Sequence, residues 1–166
     1  MTTHIIMDTK NWYIIMNRLF RLLGFISVVF LTQFSILSQN RTIQGMVIDD
    51  LDYEPVPYVS VIINDTIIIG MTNLDGSFQI EVPYDVNRLF LGRVIGFENT
   101  EIVLCESCNY LEIILFQRPV YDFLSKKQVD KKRKKRFKKI GKIRKEAIRR
   151  GVFQSRTPCY KQVFIP

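Results

Sequence analysis

Histidine is nearly absent: the 166 residues contain one, His4, placed ahead of a stretch that reads as a leader. A mature chain without histidine cannot assemble a Ser-His-Asp or Cys-His nucleophile, nor a catalytic zinc held by His and Glu. The three cysteines are one ligand short of an all-cysteine zinc site. Eight glycines and six prolines without a period exclude collagen-like polymers, and a hydrophobic fraction of 47% excludes a wholly disordered chain. These shortages point to a non-enzyme with no cofactor, no bound metal and no small-molecule substrate, of a length suited to one modest domain with appendages.

Acidic residues are scarce in one region only. Residues 126–150 hold fifteen basic side chains against two acidic ones, whereas residues 41–118 hold four basic against twelve acidic. The overall charge of +8 therefore conceals an acidic domain tethered to a basic segment. A uniformly basic nucleic-acid binder does not fit the part that folds.

What is present begins with a leader over residues 1–39, with Met16 as an alternative start. Arg18 and Arg21 precede an almost wholly apolar Leu22–Leu31, and Ser38 offers a small residue at a cut site, the secretory pattern. Cleavage would start the mature chain near Gln39. The alternative is an uncleaved inner-membrane anchor, since residues 19–37 approach the ~20 apolar residues that span a bilayer. Both place the remainder outside the cytoplasm, in the periplasm or at the outer membrane.

From residue 40 to 118 short β-branched runs alternate with turns. Runs at Thr42–Ile48, Tyr58–Ile63, Ile67–Thr72, Ser77–Val82, Leu89–Ile95, Phe97–Leu104 and Tyr110–Phe116 predict a seven-stranded antiparallel β-sandwich. Asn64-Asp65 and Asp75-Gly76 supply turn residues that tolerate positive φ. Val59, Val61 and Ile63, and likewise Phe78, Ile80 and Val82, alternate so that each set faces one core.

Gln44-Gly45-Met46-Val47-Ile48-Asp49, Glu54-Pro55-Val56-Pro57-Tyr58-Val59-Ser60-Val61, and the run from Gly70 to Ile80 occur in the order of one family's motifs. Val82-Pro83 and Ile95-Gly96-Phe97-Glu98 continue the series. This region resembles the carboxypeptidase-regulatory-like domain, a transthyretin-like sandwich. The resemblance implies a seven-stranded fold and an envelope setting, since such modules often precede the plug of TonB-dependent outer-membrane receptors in Bacteroidetes-type proteins. It implies no shared catalytic residue, and no receptor barrel or peptidase domain follows here.

Cys105-Glu106-Ser107-Cys108 lies between two predicted strands, where a disulfide pinning the turn is the expected pairing in an oxidising compartment. A redox or metal role for Cys105 and Cys108 is the alternative, although no helix start is predicted there to activate a thiol. Cys159 is left over, either free, joined to another chain or paired with one of these two. The acidic stretch from Asp49 to Glu54 and the loop Asn73–Ser77 bring oxygen donors together as calcium would require, but an acidic run is more often a solvated loop and Asp-Gly more often a hairpin turn.

After a linker at 119–125, residues 126–151 read as one basic helix, ended by Gly151, with a tail at 152–166. Val129, Phe137, Ile140, Ile143, Ala147 and Ile148 gather on one face. The candidate contacts to an anionic surface are Lys131, Lys132, Arg133, Lys134, Lys135, Arg136, Lys138, Lys139, Lys142, Arg144, Lys145, Arg149 and Arg150. Three destinations compete: the chain's own acidic domain, an anionic membrane or lipopolysaccharide surface, and an acidic envelope protein or nucleic acid. Export argues against nucleic acid. The oligomeric state is not legible, and removal of residues 126–166 is expected to leave the sandwich folded.

Overall fold

The structure is a computed structural model that describes residue 12, residues 16–23 and residues 40–166. Residues 16–23 are helical and exposed; the apolar run beyond Leu23 and the expected cut site at residues 38 and 39 lie outside the described residues. Among the described residues no helix is long and apolar enough to cross a membrane. The chain divides into two units, Met1–Ser38 and Gln39–Pro166. Every buried side chain among the described residues belongs to the second.

That unit is mostly β. Its strands are β1 (Asn40–Asp49), β2 (Ser60–Ile63), β3 (Ile67–Met71), β4 (Ser77–Pro83), β5 (Arg88–Gly92), β6 (Thr100–Leu104), β7 (Tyr110–Leu115) and β8 (Tyr160–Val163). Two helices, α1 (Lys126–Phe137) and α2 (Ile140–Arg149), separate β7 from β8. One sheet has the order β4-β1-β7 and the other β3-β2-β5-β6-β8. The two share a core that includes Ile43, Val47, Val61, Ile80, Leu91, Ile102 and Ile113. The predicted alternation appears as read: Val59, Val61 and Ile63, and Phe78, Ile80 and Val82, are all buried in that core.

Three differences from the sequence reading have physical causes. First, the sheets are not wholly antiparallel: β7 lies parallel to β1, Gly45 opposite Leu111 and Val47 opposite Ile113. Periodicity reports which face a residue takes and is blind to the partner's direction. Second, the tail contributes an eighth strand, β8, paired antiparallel with β6. Third, Ile95–Glu98 forms a turn between β5 and β6, where Glu98 N–H donates to the Phe116 carbonyl and Ile95 is fully exposed.

Close approach explains one glycine. A Cβ on Gly45 would stand 2.4 Å from the Leu111 carbonyl oxygen and 2.5 Å from the Phe78 ring, so β1 meets β7 and β4 only with hydrogen there. Gly76 has φ +73 and closes the Asn73–Ser77 turn that the Asp-Gly pair predicted.

The outer face of the three-stranded sheet is not solvated. Ile48, Ile114 and Phe116 are buried there with Ala147 and Phe153, and Phe137, Ile140, Ile143 and Val152 pack around them. The helices thus form a third layer, and β7 is buried on both faces. The single helix expected over 126–151 is two, broken at Lys138-Lys139. There the Lys139 N–H turns to the Arg136 carbonyl three residues back, and each half seats its own anchors. Gln128 Oε1 accepts from the Ser125 N–H at 2.9 Å, as a Ser-x-x-Gln start should. At the other end Val152 N–H donates to Ala147 O and Gly151 N–H to Ile148 O, a Schellman closure with φ +77 at Gly151.

Removing residues 126–166 would bare Ile48, Ile114 and Phe116 and delete β8. Circular dichroism of a chain ended after Ser125 is expected to show loss of cooperative unfolding. The point variant Ile114→Ala is expected to cost about 2–5 kcal/mol in denaturant titration.

Candidate functional site

The basic segment sorts its cations by type. All ten lysines from Lys126 to Lys145 are exposed, whereas Arg133, Arg136 and Arg144 turn toward the sheets. Every ion pair among the described residues is made by an arginine. The planar fork of arginine suits a partly dry, multidentate contact, and the compact, strongly hydrated ammonium of lysine does not.

Arg144 reaches deepest. Its Nη1 lies 3.3 Å from Glu112 Oε2 of β7, both side chains nearly dry, and its other nitrogen donates to the Glu112 carbonyl and the Tyr160 hydroxyl. The Tyr160 O–H in turn donates to the Glu112 carbonyl. Glu112 Oε1 accepts from the Gln154 N–H at 2.5 Å, and Oε2 accepts from the Ser155 N–H at 3.1 Å. The guanidinium also stacks on Phe153, 5.0 Å from its centroid. Burial pushes the Tyr160 phenol up to about 12, with Arg144 pulling the other way.

Arg136 donates to Asp50 Oδ2 at 2.7 Å and to the Gln117 carbonyl at 2.8 Å. Burial works against its charge, but Asp50 foremost, with Tyr121 and Glu98, offsets this and holds the guanidinium above its ordinary value. Arg133 stands 3.2 Å from Glu98 and 3.0 Å from Asp130, over the Phe164 ring. Arg149 and Arg150 behave differently: both bind Glu146 on their own helix, and Arg149 chiefly, then Arg150, hold that carboxyl down at about 2.

The acidic loops have internal employment. Asp49 Oδ1 accepts from the N–H groups of Leu51, Asp52 and Tyr53, and its Oδ2 from Gln117 Nε2. Asp50 Oδ1 accepts from the Gln117 N–H. Asp75 accepts from the Ser77 hydroxyl at 2.7 Å and from the Ser77 N–H, which lower its pKa. Among the described residues no group of three or more His, Cys, Asp or Glu is placed to hold a metal ion.

The expected Cys105–Cys108 pairing is corrected. Cys108 is bonded to Cys159, with Cα atoms 5.3 Å apart and a sequence separation of 51, and Cys105 is an exposed free thiol. The physical reason is placement: Cys108 points into the core, where the approach to β8 delivers Cys159 beside it. Arg41 clamps the turn by donating to the carbonyls of Cys105 and Glu106. Such a disulfide belongs to an oxidising, exported compartment.

The exposed lysines give the helical layer an outward cationic surface. Of the thirteen sequence-predicted contact residues, Lys131, Lys132, Lys134, Lys135, Lys138, Lys139, Lys142 and Lys145 occupy it, Arg149 and Arg150 are exposed at its end, and Arg133, Arg136 and Arg144 are withdrawn from it. Lys131, Lys132 and Lys135 line a shallow hollow with Leu124 and Gln128, and Lys132 Nζ stands 5.6 Å over the Tyr121 ring. Glu112, Tyr160 and Phe153 were not anticipated; a lone acid between Leu111 and Ile113 was the available signal.

No family model matches the chain, and no curated protein matches it either.

Two outcomes are expected. Peptide mapping without reductant should recover a Cys108–Cys159 link and an alkylated Cys105; reduction should cost about 4 kcal/mol for a loop of this length. Because the Tyr160 pKa is higher folded than unfolded (about 10), its contribution to stability is full below pH about 10 and is lost as pH rises through about 12. Denaturant titrations should therefore show a steeper alkaline decline for the parent than for Tyr160→Phe.

Proposed function

We propose that this protein is an exported, non-enzymatic module of the cell envelope. Its sheets form a transthyretin-like sandwich, and the helical layer presents a polycationic face to an anionic surface. The observation that carries the reading is the division of cations: arginines fasten the helices to the acidic sheets, and the ten lysines of residues 126–145 remain exposed with no carboxylate partner among the described residues. A lysine array of this density adds attraction to an anionic leaflet of about 1 kcal/mol per residue near the surface. The disulfide, the leader pattern and the motif resemblance to envelope-associated carboxypeptidase-regulatory-like domains support export.

The test uses the unit Gln39–Pro166, which holds every buried side chain among the described residues and is first checked for cooperative unfolding. It should sediment with vesicles of phosphatidylcholine containing phosphatidylglycerol, weakly with phosphatidylcholine alone, and less as salt rises. Replacing Lys131, Lys132, Lys134, Lys135, Lys138 and Lys139 by Gln should weaken binding by at least about a hundredfold while leaving unfolding unchanged. Equal binding by parent and variant would overturn the reading.

A further inference from the structure

The segment leading into α1 breaks a local rule without compensation inside the fold. Phe123 is an aromatic residue in the left-handed region, φ 62, a strained conformation for a bulky side chain. Yet its side chain is fully exposed and packs on nothing, and Val120, three residues earlier, is 85% exposed. Neither core packing nor turn chemistry accounts for placing an apolar ring there at a cost in backbone strain.

The neighbours of this segment are cationic. Between Val120 and Phe123, Tyr121 lies beneath the Lys132 ammonium, and Leu124 borders the hollow shared with Lys131, Lys132 and Lys135. Lys126 and Lys127, both exposed, follow after Ser125. Apolar tips beside a lysine array are the composition of a bilayer interface, where rings enter the acyl boundary and long ammonium side chains reach back to phosphate. A soluble polyanion would give the lysines partners and leave Phe123 and Val120 in water.

We propose that residues 120–124 form a membrane-insertion site: the side chains of Val120 and Phe123 enter an anionic phospholipid leaflet while Lys127, Lys131 and Lys132 pair with its phosphates. This deepens the anionic-surface reading and rests on it. The occupant is a bilayer because charge complementarity and exposed apolar bulk coincide in one short segment.

The sequence contains one tryptophan, Trp12, so the unit Gln39–Pro166 has none and Phe123→Trp supplies a single reporter. With vesicles of phosphatidylcholine and phosphatidylglycerol, its emission should shift to the blue and be quenched by lipids brominated near the head group. Val120→Ser/Phe123→Ser should leave thermal unfolding and salt-dependent retention on a heparin column unchanged, while vesicle partitioning falls about tenfold or more. Vesicle binding without blue shift or quenching would overturn insertion and leave the lysine face as a peripheral contact. Loss of heparin and vesicle binding alike in the six-lysine variant, with insertion absent in the parent, would place the partner among soluble polyanions. Binding to neither by the parent would overturn both readings.

Discussion

A single buried guanidinium holds three layers together. Arg144 leaves α2, passes the outer face of β7 and meets Glu112 and Tyr160, so that helix, the edge strand β7 and the start of β8 share one set of hydrogen bonds. Glu112 is the counterpart: an ionised side chain in the middle of an apolar strand whose oxygens also receive the backbone N–H groups of residues 154 and 155. Taking either charge away leaves the other dry and uncompensated, which costs far more than the pair itself contributes. The helices are therefore part of the fold, and the disulfide, one residue before Tyr160, fastens the same point by a covalent route.

The acidity of the sheets and the basicity of the helices do not cancel as two diffuse clouds. A few carboxylates, Asp50, Glu98 and Glu112, take one arginine each at short range. Most of the remaining positive charge stays outward on lysine stems, where the ammonium groups keep their hydration. One segment thus serves cohesion and display with two residue types.

Much of the first two layers was legible in the residues. Alternation at Val59–Ile63 and Phe78–Val82 placed the core, Asp75-Gly76 marked its turn, and Gly151 ended the helix where a left-handed residue was needed. The third layer was hidden because alternation is lost when both faces are covered: Ile113-Ile114-Leu115-Phe116 reads as one apolar run and does not say what lies on its second side. The disulfide was misassigned for a related reason. Cys105 and Cys108 are neighbours in sequence, but the partner of a core-facing sulfur is whatever the chain brings there, and Cys159 arrives with a strand too short to stand out. The candidate contact face was legible as charge, while its division between Lys and Arg depends on which side chains meet carboxylates across the layers. Phe123 and Val120 carried no signal, since an exposed apolar residue in a loop looks ordinary until its surroundings are seen.

Placing β8 and Cys159 at the far end of the sheet has a consequence for how the protein comes into being. Phe153 fills the helical layer, Tyr160 closes the Glu112 node and β8 completes the five-stranded sheet, so neither core is finished until residues 153–163 have been made. A nascent chain lacking them has incomplete layers and no covalent closure. Shorter nascent chains therefore have no stable native endpoint, and the locking contacts close only once residues 153–163 are present.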